Sequence, residues 1–206
     1  MTRPVPAFDW IAHHADLRPG AEALIDDARD LTLTYGELED RIRRLAAWLR
    51  DNGIGTGDRV AFLSENTTDT FEALFACAKL TAILVPLNWR LAVPELEFIV
   101  NDCRPGVLIY EGGFAEAVAA LDVPVKLQLG DAYETAKAGA DPAGIEPVTA
   151  THDDPWAILY TSGTTGHPKG ALCTHGMFFW NAINIGHAVG LTSESSNLNV
   201  LPTFHS

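Results

Sequence analysis

The sequence predicts an α/β protein with largely parallel sheets flanked by helices. Two observations carry this. Over the first 130 residues, short continuous apolar runs alternate with stretches of helical period. Runs without in–out alternation belong to strands covered on both faces, and helices between them make the crossovers that parallel strands need. The composition agrees: 47% of the 206 residues are hydrophobic and 20% are charged, which excludes a disordered tail.

The elements follow in order. Thr34 and Glu37 form a capping box, so a helix starts there. Leu38, Ile42, Leu45, Ala46 and Leu49 give it one apolar face, and Asn52-Gly53 end it. Gly53, Gly55 and Gly57 precede the next strand rather than follow one, so they read as a cap and turn, not a dinucleotide loop. That strand is Val60–Leu63. A second helix carries Phe71, Leu74, Phe75 and Ala78 on one face. A buried strand, Ala82–Val85, stops at Pro86. A third helix opens near Pro94 with Leu96, Ile99 and Val100 inward. Strands at Val107–Tyr110 and Val125–Leu129 complete the run.

Three regions are expected: a first α/β subdomain over 1–137, a connecting segment over 138–155 rich in Gly and Pro, and the start of a second, incomplete subdomain over 156–206. From Pro155 onward only Lys169 and Glu194 are charged, leaving histidines aside. A helix over His175–Val189 carries Met177, Phe178, Phe179, Trp180, Ile183, Ile185 and Val189 nearly all round. Such a helix is normally buried on all sides. An apolar strand is expected at Leu198–Leu201, and little sequence remains to cover either. The chain therefore reads as the N-terminal part of something longer.

Charge narrows the function classes. The net charge of −13 argues against a nucleic-acid partner. Arg41, Arg43, Arg44 and Arg50 lie among acidic residues and read as a solvated helix face. Cys77, Cys103 and Cys173 form no paired spacing, so reduced, mostly buried thiols and a cytoplasmic location are expected. The N-terminus has no signal-peptide pattern, and no stretch is long enough to be a transmembrane segment. His13 and His14 are adjacent and diverge on a helix, so they make no metal pair.

One segment carries chemistry: Tyr160-Thr161-Ser162-Gly163-Thr164-Thr165-Gly166-His167-Pro168-Lys169-Gly170, between apolar strands at 156–160 and 170–174. Glycines let backbone N–H groups approach an anion, hydroxyls add donors or a magnesium ligand, and lysine adds a mobile charge. A Walker A loop is excluded: five residues beyond Gly163 stands Pro168, and five beyond Gly166 stands Ala171. A plain hairpin rich in small residues fits the same composition.

These residues resemble the phosphate-loop signature of the adenylate-forming superfamily, which includes acyl-CoA synthetases, luciferases and peptide-synthetase adenylation domains. Thr174-His175, Thr34-Tyr35-Gly36-Glu37-Leu38, Gly57-Asp58-Arg59-Val60-Ala61, Val85 to Leu91 and Leu201-Pro202-Thr203-Phe204-His205-Ser206 are similar to further family segments, in the family's order. Ser162-Gly163-Thr164-Thr165-Gly166 resembles the form common in acyl-CoA and aryl-CoA ligases.

The resemblance implies the N-terminal portion of the adenylate-forming enzyme fold, truncated. It implies an ATP-dependent acid–CoA ligase: carboxylate and ATP give an acyl-adenylate and pyrophosphate, and coenzyme A then gives the thioester and AMP. A fatty acid is the expected substrate, with an aryl or other small acid as the alternative. A noncatalytic nucleotide-binding fragment of such an enzyme is the reading from another class. The implied cofactors are ATP, Mg2+ and coenzyme A as co-substrate. The implied partners are the carboxylic acid, the remainder of the ligase chain and a possible second copy in a homodimer. The loop Thr161, Ser162, Gly163, Thr164, Thr165 and Gly166 would cradle phosphates with Lys169, and Thr161 would touch the magnesium. Lys169 and His205 would be the catalytic pair, with His205 lining the acyl and adenylate pocket. His167 fills a variable position. The adenine, ribose and C-terminal lysine sites have no counterpart among these residues, so the 206 residues alone are expected to be inactive.

Overall fold

The computed structural model describes residues 3–161, 168–192 and 194–205. In chain order, α1 (Trp10–Leu17) precedes an antiparallel hairpin of β1 (Glu22–Asp26) and β2 (Leu31–Thr34), and α2 (Tyr35–Asp51) follows directly. Then come β3 (Arg59–Leu63), α3 (Asp69–Lys79), β4 (Ile83–Pro86), α4 (Val93–Cys103), β5 (Val107–Tyr110), α5 (Ala115–Ala120), β6 (Val125–Gln128) and α6 (Asp131–Gly139). The chain continues through β7 (Pro155–Thr161), β8 (Lys169–Thr174) and α7 (His175–Val189).

Among the described residues, six strands form one sheet in the order β6-β5-β3-β4-β7-β8. Every pairing in it is parallel except β7 with β8. The strands alternate between two cores, as a sheet covered on both faces requires. Val60, Phe62, Leu84, Val107 and Ile109 face α2 and α3. Ala61, Leu63, Val85 and Leu108 face α4 and α5. The fold class is the α/β arrangement expected.

α2 forms where its capping box places it. Thr34 N donates to Glu37 Oε2 at 2.8 Å, and Glu37 N donates to Thr34 Oγ1 at 3.3 Å. Such a cap stabilises a helix by about 1 kcal/mol. All five apolar positions named for its inner face are buried, and Gly53 ends it at φ +84°. The same hydrophobic period places Leu96, Ile99 and Val100 of α4 in the second core.

Four expectations need correction. In α3, Phe71, Leu74 and Phe75 are half-buried, whereas Glu72, Ala73, Ala76 and Cys77 are buried along with Ala78. The helix packs closely against α2 and against β3, β4 and β7, so the close contacts take small residues. The arginines of α2 are not a purely solvated face. Arg41 pairs with buried Glu72 and, at 2.7 Å, with Glu134 of α6. Arg43 and Arg50 donate to the carbonyls of Pro142, Ala143 and Asp141. Arg44 alone of the four follows expectation, pairing with Asp40 one turn away. Third, residues 198–201 form no strand. Leu198 is 83% exposed, and no neighbouring strand among the described residues can pair with its backbone. Fourth, α7 is not buried on all sides: Met177, Trp180, Ile183, Ile185 and Val189 are exposed, while Phe178 and Phe179 pack on Trp156 and Trp10.

Asp9 and Lys79 tie the outer layer together. Asp9 Oδ1 accepts from Ala12 N at the start of α1, and its other oxygen accepts from Lys79 Nζ at 2.8 Å and Val148 N at 3.0 Å. Lys79 also donates to Glu39 at 2.6 Å. Within the segment 138–155, Ala140, Ile145 and Ala150 are buried.

Candidate functional site

The four adjacent parallel strands β5, β3, β4 and β7 end at Tyr110, Leu63, Pro86 and Thr161, along one edge of the sheet. α3 follows β3 onto one face, and α4 follows β4 onto the other. The connections therefore diverge between β3 and β4. Open α/β sheets bind ligands in the crevice that such a divergence leaves beyond the carboxyl ends of the strands.

The glycine- and hydroxyl-rich segment emerges at this edge. Ser162, Gly163, Thr164, Thr165 and Gly166, with His167, lie outside the described residues; their flanks do not. Thr161 and Lys169 are direct Cα partners in the antiparallel pair, so they share a face at the mouth of the hairpin. Both are exposed. Lys169 has no ion-pair partner among the described residues, so its ammonium is available to an incoming anion.

The neighbouring pair, Tyr160 and Gly170, faces the other way and locks the hairpin down. The Tyr160 hydroxyl donates to Asp102 Oδ2 at the C-terminal end of α4. Burial, with the carboxylate of Asp102 beside it, pushes the Tyr160 phenol well above its usual range. Gly170 lies under that ring. A Cβ there would stand 2.8 Å from Ile158 Cγ2 and 3.2 Å from Tyr160 Cζ. A bulge at Trp156 flips the face of the strand, so Trp156 points at α3, where its indole donates to Leu74 O at 2.8 Å. Ile158 and Tyr160 meet the α4 core instead.

His205 sits in an irregular segment near the β3 and β4 loops. Its N–H donates to Pro202 O at 3.1 Å, and its ring is exposed. Phe204 beside it is 8% exposed, with the Arg90 guanidinium 5.7 Å from its ring. The structure thus brings Thr161 and Lys169 together. No hydrogen bond joins His205 to either among the described residues.

The donor set fits a magnesium ion that arrives with a polyphosphate. One exposed hydroxyl cannot hold the ion by itself, and Mg2+ is commonly bound through few protein ligands plus substrate phosphates. Among the described residues, no group of three or more His, Cys, Asp or Glu is placed to hold a metal.

Sequence reasoning missed Asp102, Asn66 and Arg90. The partner of Asp102 lies 58 residues away, those of Asn66 lie 135 and 137 away, and Arg90 meets the ring of Phe204, all beyond any local pattern. The available signal was position: Asn66 and Arg90 follow the ends of two predicted parallel strands.

Residues 11–206 match the family model described as AMP-binding enzyme. The chain is 41% identical over 196 residues to a feruloyl-CoA synthase of Amycolatopsis sp, covering 95% of this chain and 39% of that protein. It is 38% identical over 209 residues to an indoleacetate–CoA ligase of Aromatoleum aromaticum, covering 96% and 40%. It is 34% identical to the long-chain-fatty-acid–CoA ligase FadD13 of Mycobacterium tuberculosis, covering 95% and 40%. Among solved structures, the N-terminal domain of FACL13 from Mycobacterium tuberculosis superposes with a TM-score of 0.90 at 31% identity, covering 98% of this chain and 52% of that one. The chain spans about two fifths of the length of these curated relatives. It belongs to the family of AMP-binding enzymes.

Proposed function

We propose that the protein of which these residues form part joins a carboxylic acid to coenzyme A at the expense of ATP. The reaction would pass through an acyl-adenylate with release of pyrophosphate, followed by thioester formation with release of AMP. The observation that carries this reading is the exposed Thr161–Lys169 pair flanking the glycine- and hydroxyl-rich loop at the carboxyl edge of a parallel sheet.

In this reading Lys169 meets the β- and γ-phosphates as pyrophosphate charge develops, and backbone N–H groups of 161–166 share that charge. The Thr161 hydroxyl would contact a magnesium ion, which would supply further charge neutralisation. His205 lines the acid and adenylate pocket. Positioning and preorganised charge supply the catalysis, and no covalent enzyme intermediate is needed.

For the acid, two chemistries are in view. A fatty acid is the substrate expected from sequence, and the likeness to FadD13 supports it. An aryl acid is the second reading, favoured by the higher identity to a feruloyl-CoA synthase and an indoleacetate–CoA ligase. Buried thiols at Cys77 and Cys103 support a reducing compartment such as the cytoplasm. Among the described residues, no helix is long and apolar enough to cross a membrane.

The test uses the full-length protein with ATP, coenzyme A and a panel of hydroxycinnamic, arylacetic and long-chain acids. Lys169→Ala is expected to lower acyl-CoA formation about a hundredfold. Its melting temperature should not change, because the side chain is exposed. Undiminished turnover by the variant would remove Lys169 from the mechanism.

A further inference from the structure

Asn66 stands three residues beyond the end of β3, at the point where the connections of β3 and β4 diverge. Its Nδ2 donates to Leu201 O at 2.7 Å, and its Oδ1 accepts from Thr203 N at 2.9 Å. One side-chain amide therefore satisfies both an acceptor and a donor in backbone that belongs to no helix or strand. Such backbone has no other built-in partner.

The anchor is itself fixed. Glu111 Oε2, just past β5, accepts from Ser64 Oγ at 3.0 Å and from Glu65 N at 3.1 Å. The segment it holds is stiff as well. Pro202, between the two bonded residues, has a fixed φ, and the His205 N–H closes a turn onto the Pro202 carbonyl at 3.1 Å. Phe204 is tucked in under the Arg90 guanidinium, which also lies 4.7 Å from the Trp89 ring. The position of His205 is thus determined from Asn66 through three residues of constrained chain.

Asn66 is exposed, so core packing does not explain its amide. The chemistry selects asparagine. Aspartate keeps the acceptor for Thr203 but sets a second oxygen against the Leu201 carbonyl. Glutamine carries the amide one methylene too far.

We infer that Asn66 is a positioning residue for the acid substrate, acting through His205 by clamping the backbone of residues 201–203. The inference rests on the ligase reading above. Because Thr161 and Lys169 belong to the β7–β8 pair and not to the 201–205 segment, the clamp governs the acid side and leaves the phosphate side alone.

The experiment is steady-state kinetics of full-length wild type, Asn66→Ala, Asn66→Asp, His205→Ala and the Asn66→Ala/His205→Ala double variant. Melting temperatures are recorded alongside. Both Asn66 variants are expected to raise KM for the acid about tenfold, with KM for ATP unchanged. In the His205→Ala background, Asn66→Ala is expected to add nothing, because the two act as one unit. A merely structural role would lower the melting temperature and leave the acid KM alone, and that result overturns the inference. So does a full additive loss in the double variant. Wild type that turns over no acid of the panel overturns the ligase reading and this inference together.

Discussion

His175 shows how one side chain can report on the packing of a whole helix. It is the first residue of α7, and its ring lies flat on Trp156, with centroids 4.6 Å apart and planes 4° apart. Its Nε2 is buried without a hydrogen-bond partner among the described residues. Burial lowers the imidazole pKa to about 4; the carboxylate of Asp154 opposes that shift and His152 adds to it. Between the ordinary value of 6.5 and about 4, the unfolded chain therefore takes up a proton that the folded chain refuses. Stability from this residue is full above pH 6.5 and is lost as pH falls toward about 4. His175→Phe keeps the aromatic stack and removes the proton. The variant is expected to lose less of its melting temperature than wild type on acidification across that window. Thermal unfolding at a series of pH values reads the difference directly, since every other titrating group is common to both chains. Parallel curves would show that the imidazole takes up its proton in the fold as readily as in the unfolded chain.

Hairpin β7–β8 is the element on which the candidate site depends, and it was legible because its signals are local. An apolar run, a cluster of small and hydroxylic residues and a second short run lie within twenty residues. The α2 cap and apolar face were legible for the same reason: Thr34 meets Glu37, and Leu38 to Leu49 obey one period. What stayed hidden depends on distant chain. No pattern near Arg41 announces that Glu72 and Glu134 will enclose it. Nothing in Leu198–Leu201 says that no strand among the described residues pairs with it. In the site, the strand pairing put Thr161 opposite Lys169, but the residues holding that hairpin and the 201–205 segment come from elsewhere: Asp102 from the end of α4 and Asn66 from the connection after β3. Gly170 tests the hairpin as a unit. A methyl there meets Ile158 and Tyr160 within 3.2 Å, an overpacking that costs about 1–3 kcal/mol or forces β8 away from β7. Lys169 adjoins it and moves with the strand. Gly170→Ala in the full-length protein is expected to lower kcat/KM for ATP at least about tenfold. Unchanged ATP kinetics would mean that the strand absorbs the methyl without moving the lysine.

Charge and apolar surface are distributed unequally over the molecule, and the imbalance has a measurable result. The net charge is −13, yet the chain from Pro155 onward carries almost none of the charged residues. Its helix α7 docks through Phe178 and Phe179, so the opposite face shows Met177, Trp180 and Ile183 to solvent, with Trp180 59% exposed. Leu198, Val200 and Leu201 are exposed as well. An apolar face of this kind drives association. Repulsion between like-charged chains opposes that association, and salt weakens the repulsion over a Debye length of about 10 Å at 0.1 M. A polypeptide of these 206 residues is therefore expected to self-associate with rising concentration, and more strongly at 0.5 M salt than at low salt (about 3 Å screening at 1 M sets the limit). Replacing Trp180 and Ile183 by glutamate puts charge in the centre of that face while leaving Phe178 and Phe179 in place. Sedimentation velocity should then find the variant monomeric where the parent chain is not. A parent chain that stays monomeric at every concentration and salt, indistinguishable from the variant, would mean that the α7 face is covered by the chain's own residues.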